Sequence, residues 1–165
     1  FDVELTYMTS RGKWYLKSWK DFDHKSGGVA TNVGVHFFDM LHFIFGDIKD
    51  SEVHHRDEKT VAGYLVYEKA RVKWFLSIDE NNLPDNAIQG EKKTYRSIDI
   101  EGEQLEFSGG FTDLHTQSYQ NILAGNGYGL EENRVAIETV EKIRVEKIIM
   151  DSSNQHPLVE KLSKV

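Results

Sequence analysis

The chain has 165 residues, a length that fits a single domain with a substantial buried core. Its formal net charge of −7 argues against nucleic acid as a partner, and no apolar run approaches the roughly 18 residues of a membrane span. Cysteine is absent, which excludes disulfides and thiolate chemistry and agrees with a reducing cytoplasm.

Strand and helix patterns follow one another along the chain. Strands are predicted at about 2–9, 51–57, 60–69, 71–79, 94–101 and 103–108, and helices at about 30–45, 113–124 and 131–150. We predict a long loop at 80–92 and a polar, flexible tail from about residue 152. Short hairpins between helical segments predict an α+β fold, with a mostly antiparallel open sheet and helices on one face.

Some of these features indicate that the chain does not act alone. It enters a strand pattern at once, without a start methionine, so we expect a piece of a longer protein. No Gly-x-Gly-x-x-Gly element stands between a strand and a helix, so the fingerprint of a dinucleotide-binding domain is missing. The strand pattern at 61–68 is apolar or aromatic on both faces, which predicts a second covering layer that another subunit could supply.

Residues 27–46 carry the most informative pattern. A glycine pair opens the segment and Gly46 closes it, as helix-breaking and capping residues do. Apolar residues recur inside it at the spacing of a buried helical face: Val33, Phe37, Met40 and Ile44. Asn32, His36 and Asp39 form a polar stripe along the edge of that face. Polar side chains in this position indicate an active site.

The histidine of this stripe suits proton transfer. Histidine titrates near neutral pH, so a neutral His36 ring could accept a hydroxyl proton while hydride leaves the same carbon. The amide of Asn32, one turn earlier, keeps the ring neutral more easily than a carboxylate would, and it could hold a sugar hydroxyl. Asp39 could orient the ring. The alternative interpretation is a buried histidine whose nitrogens bond to the backbone.

A basic and aromatic stretch precedes the glycine pair. Arg11, Lys13, Lys17, Lys20 and Lys25 stand against only two aspartates, and Trp14, Tyr15, Trp19 and Phe22 are interleaved with them. Local cations beside planar side chains predict binding of a phosphate or a carboxylate. The alternative is a solvated loop with two core tryptophans. A metal site is not predicted, because His54 and His55 are neighbours in a strand and face opposite sides.

These motifs resemble a known signature. In the glucose-fructose oxidoreductase / inositol dehydrogenase / rhizopine-catabolism (Gfo/Idh/MocA) family, a Gly-Gly element leads into a helix with Asp, Gly, His and Asp at the positions of Asn32, Gly34, His36 and Asp39. Asparagine in place of aspartate at position 32 resembles the pattern of one subgroup, the UDP-N-acetyl-2-amino-2-deoxy-glucuronate 3-dehydrogenases. Four other segments also resemble this subgroup: Arg-Gly-Lys-Trp-Tyr at 11–15, Ser-Trp-Lys at 18–20, Phe-Thr-Asp-Leu-His at 111–115 and Gly-Leu-Glu-Glu at 129–132.

The resemblance implies a function. Residues 1–165 would form the C-terminal substrate-binding and oligomerising domain of an NAD-dependent enzyme, whose absent N-terminal Rossmann domain would bind most of the NAD and supply a lysine. The implied reaction oxidises the 3-hydroxyl of UDP-N-acetyl-glucosaminuronic acid (UDP-GlcNAcA) in lipopolysaccharide O-antigen synthesis, in the cytoplasm. The open face of the sheet would contact another subunit of a homodimer or homotetramer.

The resemblance also assigns residues to the site. His36 is the implied catalytic residue, and the implied substrate contacts are Arg11, Lys13, Trp14, Tyr15, Ser18, Lys20, Lys25, Asn32, Asp39 and His115. Three alternatives stay open: a non-catalytic sugar or nucleotide sensor with this fold, a dehydrogenase acting on another sugar, and NADP in place of NAD.

Overall fold

The computed structural model describes residues 1–11, 15–18, 23–90, 92–109 and 113–162. These residues form a six-stranded sheet with the order β2-β3-β4-β1-β5-β6. Its strands are β1 (Asp2–Thr9), β2 (Ile48–Arg56), β3 (Thr60–Tyr67), β4 (Arg71–Ser77), β5 (Thr94–Ile100) and β6 (Glu103–Glu106). β1 runs parallel to β4, and the other neighbouring pairs are antiparallel, which confirms the predicted mostly antiparallel sheet.

The three predicted helices are present, and several shorter helices were not predicted. The described helices are α1 (Asp23–Ser26), α2 (Val35–Phe45), α3 (Asp85–Gln89), α4 (Leu114–Leu123), α5 (Leu130–Val145) and α6 (Val159–Leu162), and a π-helical turn (Ala30–Gly34) precedes α2. The predicted loop at 80–92 is wrong in part, because a 3-10 turn (Glu80–Asn82) and α3 lie within it. Both elements are too short to show a hydrophobic periodicity. The 3-10 turn begins where the Asp79 side chain accepts a hydrogen bond from the backbone N–H of Asn81.

The main core lies between the sheet and the helices α2 and α5. Phe38 of α2 meets Trp74 of β4 edge to face, with ring centroids 5.3 Å apart, and Ile143 of α5 is fully buried in the same cluster. α5 stops at Val145, earlier than predicted, and Ile148 then forms a parallel bridge with Val53 of β2. The chain after α5 is thereby tied to the edge of the sheet.

The tail covers part of the opposite face of the sheet. We predicted a flexible tail from about residue 152, but its described part, up to Leu162, packs on the sheet. Val159 is buried beside Phe75, Met8 and Ala62, in a second and smaller apolar cluster. The tail therefore supplies some of the covering layer that β3 was predicted to obtain from another subunit.

A buried histidine anchors this tail. His156 Nδ1 accepts a hydrogen bond from the backbone N–H of Leu158 (3.2 Å), so the ring proton lies on Nε2 and is donated to Thr6 Oγ1 at 3.1 Å. Burial, with a smaller contribution from the charge of Lys73, lowers the pKa of His156 from 6.5 to about 4. The folded protein thus keeps this imidazole neutral.

Gly34 marks the closest approach of the helical layer to the sheet. A Cβ at this position would lie 2.7 Å from Leu76 Cδ1 and 2.8 Å from Phe38 Cε2. Both neighbours are fully buried, so neither can move aside without disturbing the core. No helix among the described residues is long and apolar enough to cross a membrane.

We expect Gly34→Ala to lower the free energy of unfolding by about 1–3 kcal/mol, because the new methyl group overpacks the core. Urea unfolding followed by circular dichroism measures the change. Gly109→Ala is the control, since a Cβ at Gly109 would meet no atom of the described residues within 4 Å. Equal stability of the two variants would contradict the close approach.

We expect the stability of the fold to fall as the pH drops from 6.5 towards 4. Above that range His156 is neutral in both the folded and the unfolded chain. Within it the imidazole of the unfolded chain is protonated first, which lowers the free energy of unfolding by up to about 3 kcal/mol. Urea unfolding at a series of pH values measures this slope. His156→Gln should flatten it, while His115→Gln, on the exposed helix α4, should leave it unchanged.

Candidate functional site

The glycine pair sets the entry into the helix that carries His36. Gly27 and Gly28 both adopt positive φ angles, +80° and +69°, which other residues rarely adopt. Their carbonyl oxygens accept hydrogen bonds from two side chains one turn later, Thr31 Oγ1 and Asn32 Nδ2, each at 2.9 Å. The predicted helix-breaking role of the pair is confirmed, and Asn32 takes part in it.

The first turn of this helix is wider than an α-helical turn. Residues Ala30–Gly34 form a π-helical turn, a form that is common near functional sites, and α2 follows directly. The polar stripe was predicted from α-helical spacing, so the π turn changes the angle between Asn32 and His36. Nδ2 of Asn32 is engaged with Gly28, whereas Oδ1 has no hydrogen-bond partner among the described residues.

His36 lies on the outer side of α2 and is exposed. Phe37 and Phe38, the next two residues, are buried and hold the helix on the sheet. None of the described residues hydrogen-bonds to the His36 ring, so the alternative of a buried, backbone-bonded histidine is wrong. Asp39 is exposed one turn later and forms no ion pair with a described residue. The ring is free to meet a ligand.

A cation lies near the start of the same helix. The guanidinium carbon of Arg11 is 5.9 Å from the centre of the Tyr15 ring. Arg11 Nε is buried, and none of the described residues accepts a hydrogen bond from it. Tyr15 is itself buried and lines a cavity of about 290 Å³ together with Gly27 and Gly28. Tyr15, with Arg11 beside its ring, therefore lies at the glycine pair that precedes the π turn containing Asn32.

Of the other predicted contacts, the structure describes Ser18, Lys25 and His115. Lys13, Trp14 and Lys20 lie outside the described residues. Ser18 Oγ donates to the carbonyl oxygen of Tyr15 at 2.8 Å, and Lys25 is exposed. His115 lies in the first turn of α4, which is exposed along its whole length, and no hydrogen bond within the described ranges joins it to α2. The substrate-binding roles of these residues stay predictions.

Sequence reasoning missed one cation at this end of the sheet. Arg96 of β5 places its guanidinium carbon 5.0 Å from the centre of the Tyr7 ring, and Tyr7 packs on Phe37 with centroids 4.9 Å apart. Arg96 stands in an ordinary strand pattern outside every motif, so only its pairing with β1 reveals the position. Within the described part of the chain, no group of three His, Asp or Glu side chains could hold a metal ion.

The family signature extends over nearly the whole chain. The model of the Gfo/Idh/MocA oxidoreductase family, C-terminal alpha/beta domain, matches residues 1–160. That range includes the glycine pair, the π turn and α2, so the segment around His36 lies within the matched domain.

Solved structures of similar proteins agree with this match. The WlbA (WbpB) dehydrogenase from Thermus thermophilus, solved with NAD and alpha-ketoglutarate, is 52% identical with a TM-score of 0.90, over 95% of this chain and 51% of that one. Its structure with NAD and UDP-GlcNAcA gives 51% identity and a TM-score of 0.89 over the same shares. The WlbA dehydrogenase from Bordetella pertussis shares the fold at 18% identity, with a TM-score of 0.64, over 87% of this chain and 50% of that one.

The chain thus spans about half the length of these solved relatives. The family match and the similarity to the Thermus enzyme each cover more than nine-tenths of the present chain. The chain belongs to the Gfo/Idh/MocA oxidoreductase family and forms its C-terminal α/β domain.

Proposed function

We propose that this domain binds the substrate of an NAD-dependent dehydrogenase that oxidises the 3-hydroxyl of UDP-GlcNAcA. The exposed, unpartnered imidazole of His36 carries the proposal, because an acceptor for a hydroxyl proton must be open to the ligand. The similarity to the Thermus WlbA dehydrogenase, solved with NAD and with UDP-GlcNAcA, supports this substrate and this cofactor. No observation favours the sensor alternative over an enzyme.

The described residues divide the work as follows. A neutral His36 accepts the proton of the sugar hydroxyl, and the O–H electron pair then forms the C=O bond of the keto sugar. NAD, when bound, supplies the acceptor for the hydride that leaves the same carbon. Oδ1 of Asn32 accepts a hydrogen bond from a ring hydroxyl, which fixes the reacting carbon beside the imidazole. The exposed side of α2 leaves room for a cofactor held by a second domain.

Charge complementarity supports an anionic ligand. Arg11 carries a full positive charge, and no described carboxylate neutralises it. The diphosphate and the uronate carboxylate of UDP-GlcNAcA are acceptors that a guanidinium binds with paired hydrogen bonds. We assign Arg11 to one of these groups, together with the predicted contacts Lys13, Lys20 and Lys25. We place the reaction in lipopolysaccharide O-antigen synthesis and in the cytoplasm.

We also propose that the open face of the sheet contacts a second subunit. This face carries a groove of about 1220 Å³ whose lining mixes apolar and polar residues, including Glu4, Thr6, Phe75, Tyr95 and Leu158. The tail covers only part of it, and the half-exposed Glu4 lies on the central strand β1. A symmetric dimer through this face would bury what the tail leaves open.

The first test measures the mass of the sugar nucleotide after incubation of the full two-domain protein with UDP-GlcNAcA and excess NAD. We expect a loss of two hydrogens, and we expect His36→Ala to lower the rate by about 100-fold or more, because the proton acceptor is removed. His55→Ala, which removes a half-buried histidine of β2 paired with Asp57, is the control and should react normally. The isolated 165-residue chain should not react. An unchanged mass with the complete wild-type protein would refute the substrate assignment.

The second test measures the molar mass of the full protein by size-exclusion chromatography with light scattering. Glu4→Arg should shift the protein to a smaller species, because it places an unpaired cation in the proposed interface. Val145→Arg, on an exposed position of α5, should keep the assembly of the wild type. Unchanged assembly in Glu4→Arg would argue against the sheet face.

A further inference from the structure

Arg96 breaks the apolar pattern of the sheet face that carries the core. On β5 the residues that face the helices are Arg96, Ile98 and Ile100, and the last two join the core cluster. Arg96 lies opposite Tyr7 in the register of β1 and β5 and is half-buried. A charged side chain on this face loses part of its hydration, so it needs a compensating partner.

The described residues do not supply that partner. Arg71 forms two hydrogen bonds to the carboxylate of Asp2, and Arg56 donates to the carbonyl oxygens of Ile143 and Glu146. The side chain of Arg96 has neither kind of acceptor in the described ranges: its contact is the face of the Tyr7 ring. A ring face attracts the cation but accepts few of its five N–H donors.

The backbone and the aromatic side chains hold Arg96 in place. Its N–H donates to Ser108 Oγ and its carbonyl oxygen accepts from Phe107 N–H, each at 3.0 Å. The Phe107 ring lies 6.3 Å from that of Phe37, which in turn packs on Tyr7. The guanidinium therefore has a defined position relative to Phe37, the neighbour of His36 on α2.

We propose that Arg96 binds an anionic group of the nucleotide-sugar ligand, either its carboxylate or its diphosphate. The proposal takes its ligand from the proposed function. In UDP-GlcNAcA the carboxylate and the diphosphate both lie a few bonds from the carbon that is oxidised. Either group can accept paired hydrogen bonds from the guanidinium N–H donors that the Tyr7 ring does not engage. The ligand thereby supplies the acceptor that the fold omits.

The test is calorimetric titration of the full protein with UDP-GlcNAcA, UDP-N-acetylglucosamine and UDP. Arg96→Met should weaken binding of UDP-GlcNAcA by about 10- to 100-fold, as expected for a lost charge-assisted hydrogen bond. Arg134→Met, which removes an exposed arginine of α5 that is paired with Glu131, is the matched control. Arg96→Lys keeps a positive charge over Tyr7 but loses the planar guanidinium, so we expect it to bind UDP-GlcNAcA severalfold more weakly than the wild type. This variant still tests the proposal if Arg96→Met unfolds.

The three ligands distinguish the two sources of the anion. A loss confined to UDP-GlcNAcA assigns Arg96 to the carboxylate, and an equal loss for all three ligands assigns it to the diphosphate. Arg96→Met and Arg96→Lys proteins that bind all three ligands as tightly as the wild type would overturn the proposal. If the protein oxidises the sugar but binds it equally well without Arg96, only the role of Arg96 is refuted. If binding requires Arg96 but no oxidation occurs, only the proposed reaction is refuted.

Discussion

The architecture depends on how closely the π turn that leads into α2 approaches the sheet at Gly34. A side chain at this position would collide with Leu76 and Phe38, so glycine is what allows the helix to lie against β4. With the helix that close, Phe38 reaches Trp74 and Phe37 reaches Tyr7. Both phenylalanines are buried as a result, and helix geometry then turns the preceding His36 outward. The packing of the core and the exposure of the histidine have the same cause.

The two faces of the sheet are covered by different means. α2 and α5 bury a large apolar cluster on one face, where dispersion and the hydrophobic effect dominate. On the other face a short tail is held by one neutral histidine, His156, bonded to Thr6, and by the small cluster around Phe75 and Val159. The second face remains only partly covered, which suits it to an interface between subunits.

Two arginines contact aromatic rings near the C-terminal end of β1, and no described carboxylate forms an ion pair with either of them. Arg11 lies over Tyr15, and Arg96 lies over Tyr7. A ring face positions a guanidinium without cancelling its charge, whereas a carboxylate, as in the pair of Arg71 with Asp2, would do both. An anionic ligand can therefore bind here without displacing an internal ion pair. Arg96 is linked to the segment around His36 through Tyr7, which packs on Phe37, the next residue of α2.

The sequence by itself determined the strands, the three long helices, the role of the glycine pair and the candidate histidine, because each depends on local spacing and backbone preference. Only the tertiary structure decided the packing of the tail, since the neutral state of His156 depends on burial under residues 150 positions away in the chain. It also revealed the π turn before α2 and the place of Arg96, which depends on the pairing of β5 with β1. Local patterns record the preferences of neighbouring residues, whereas contacts between distant segments exist only once the chain has folded.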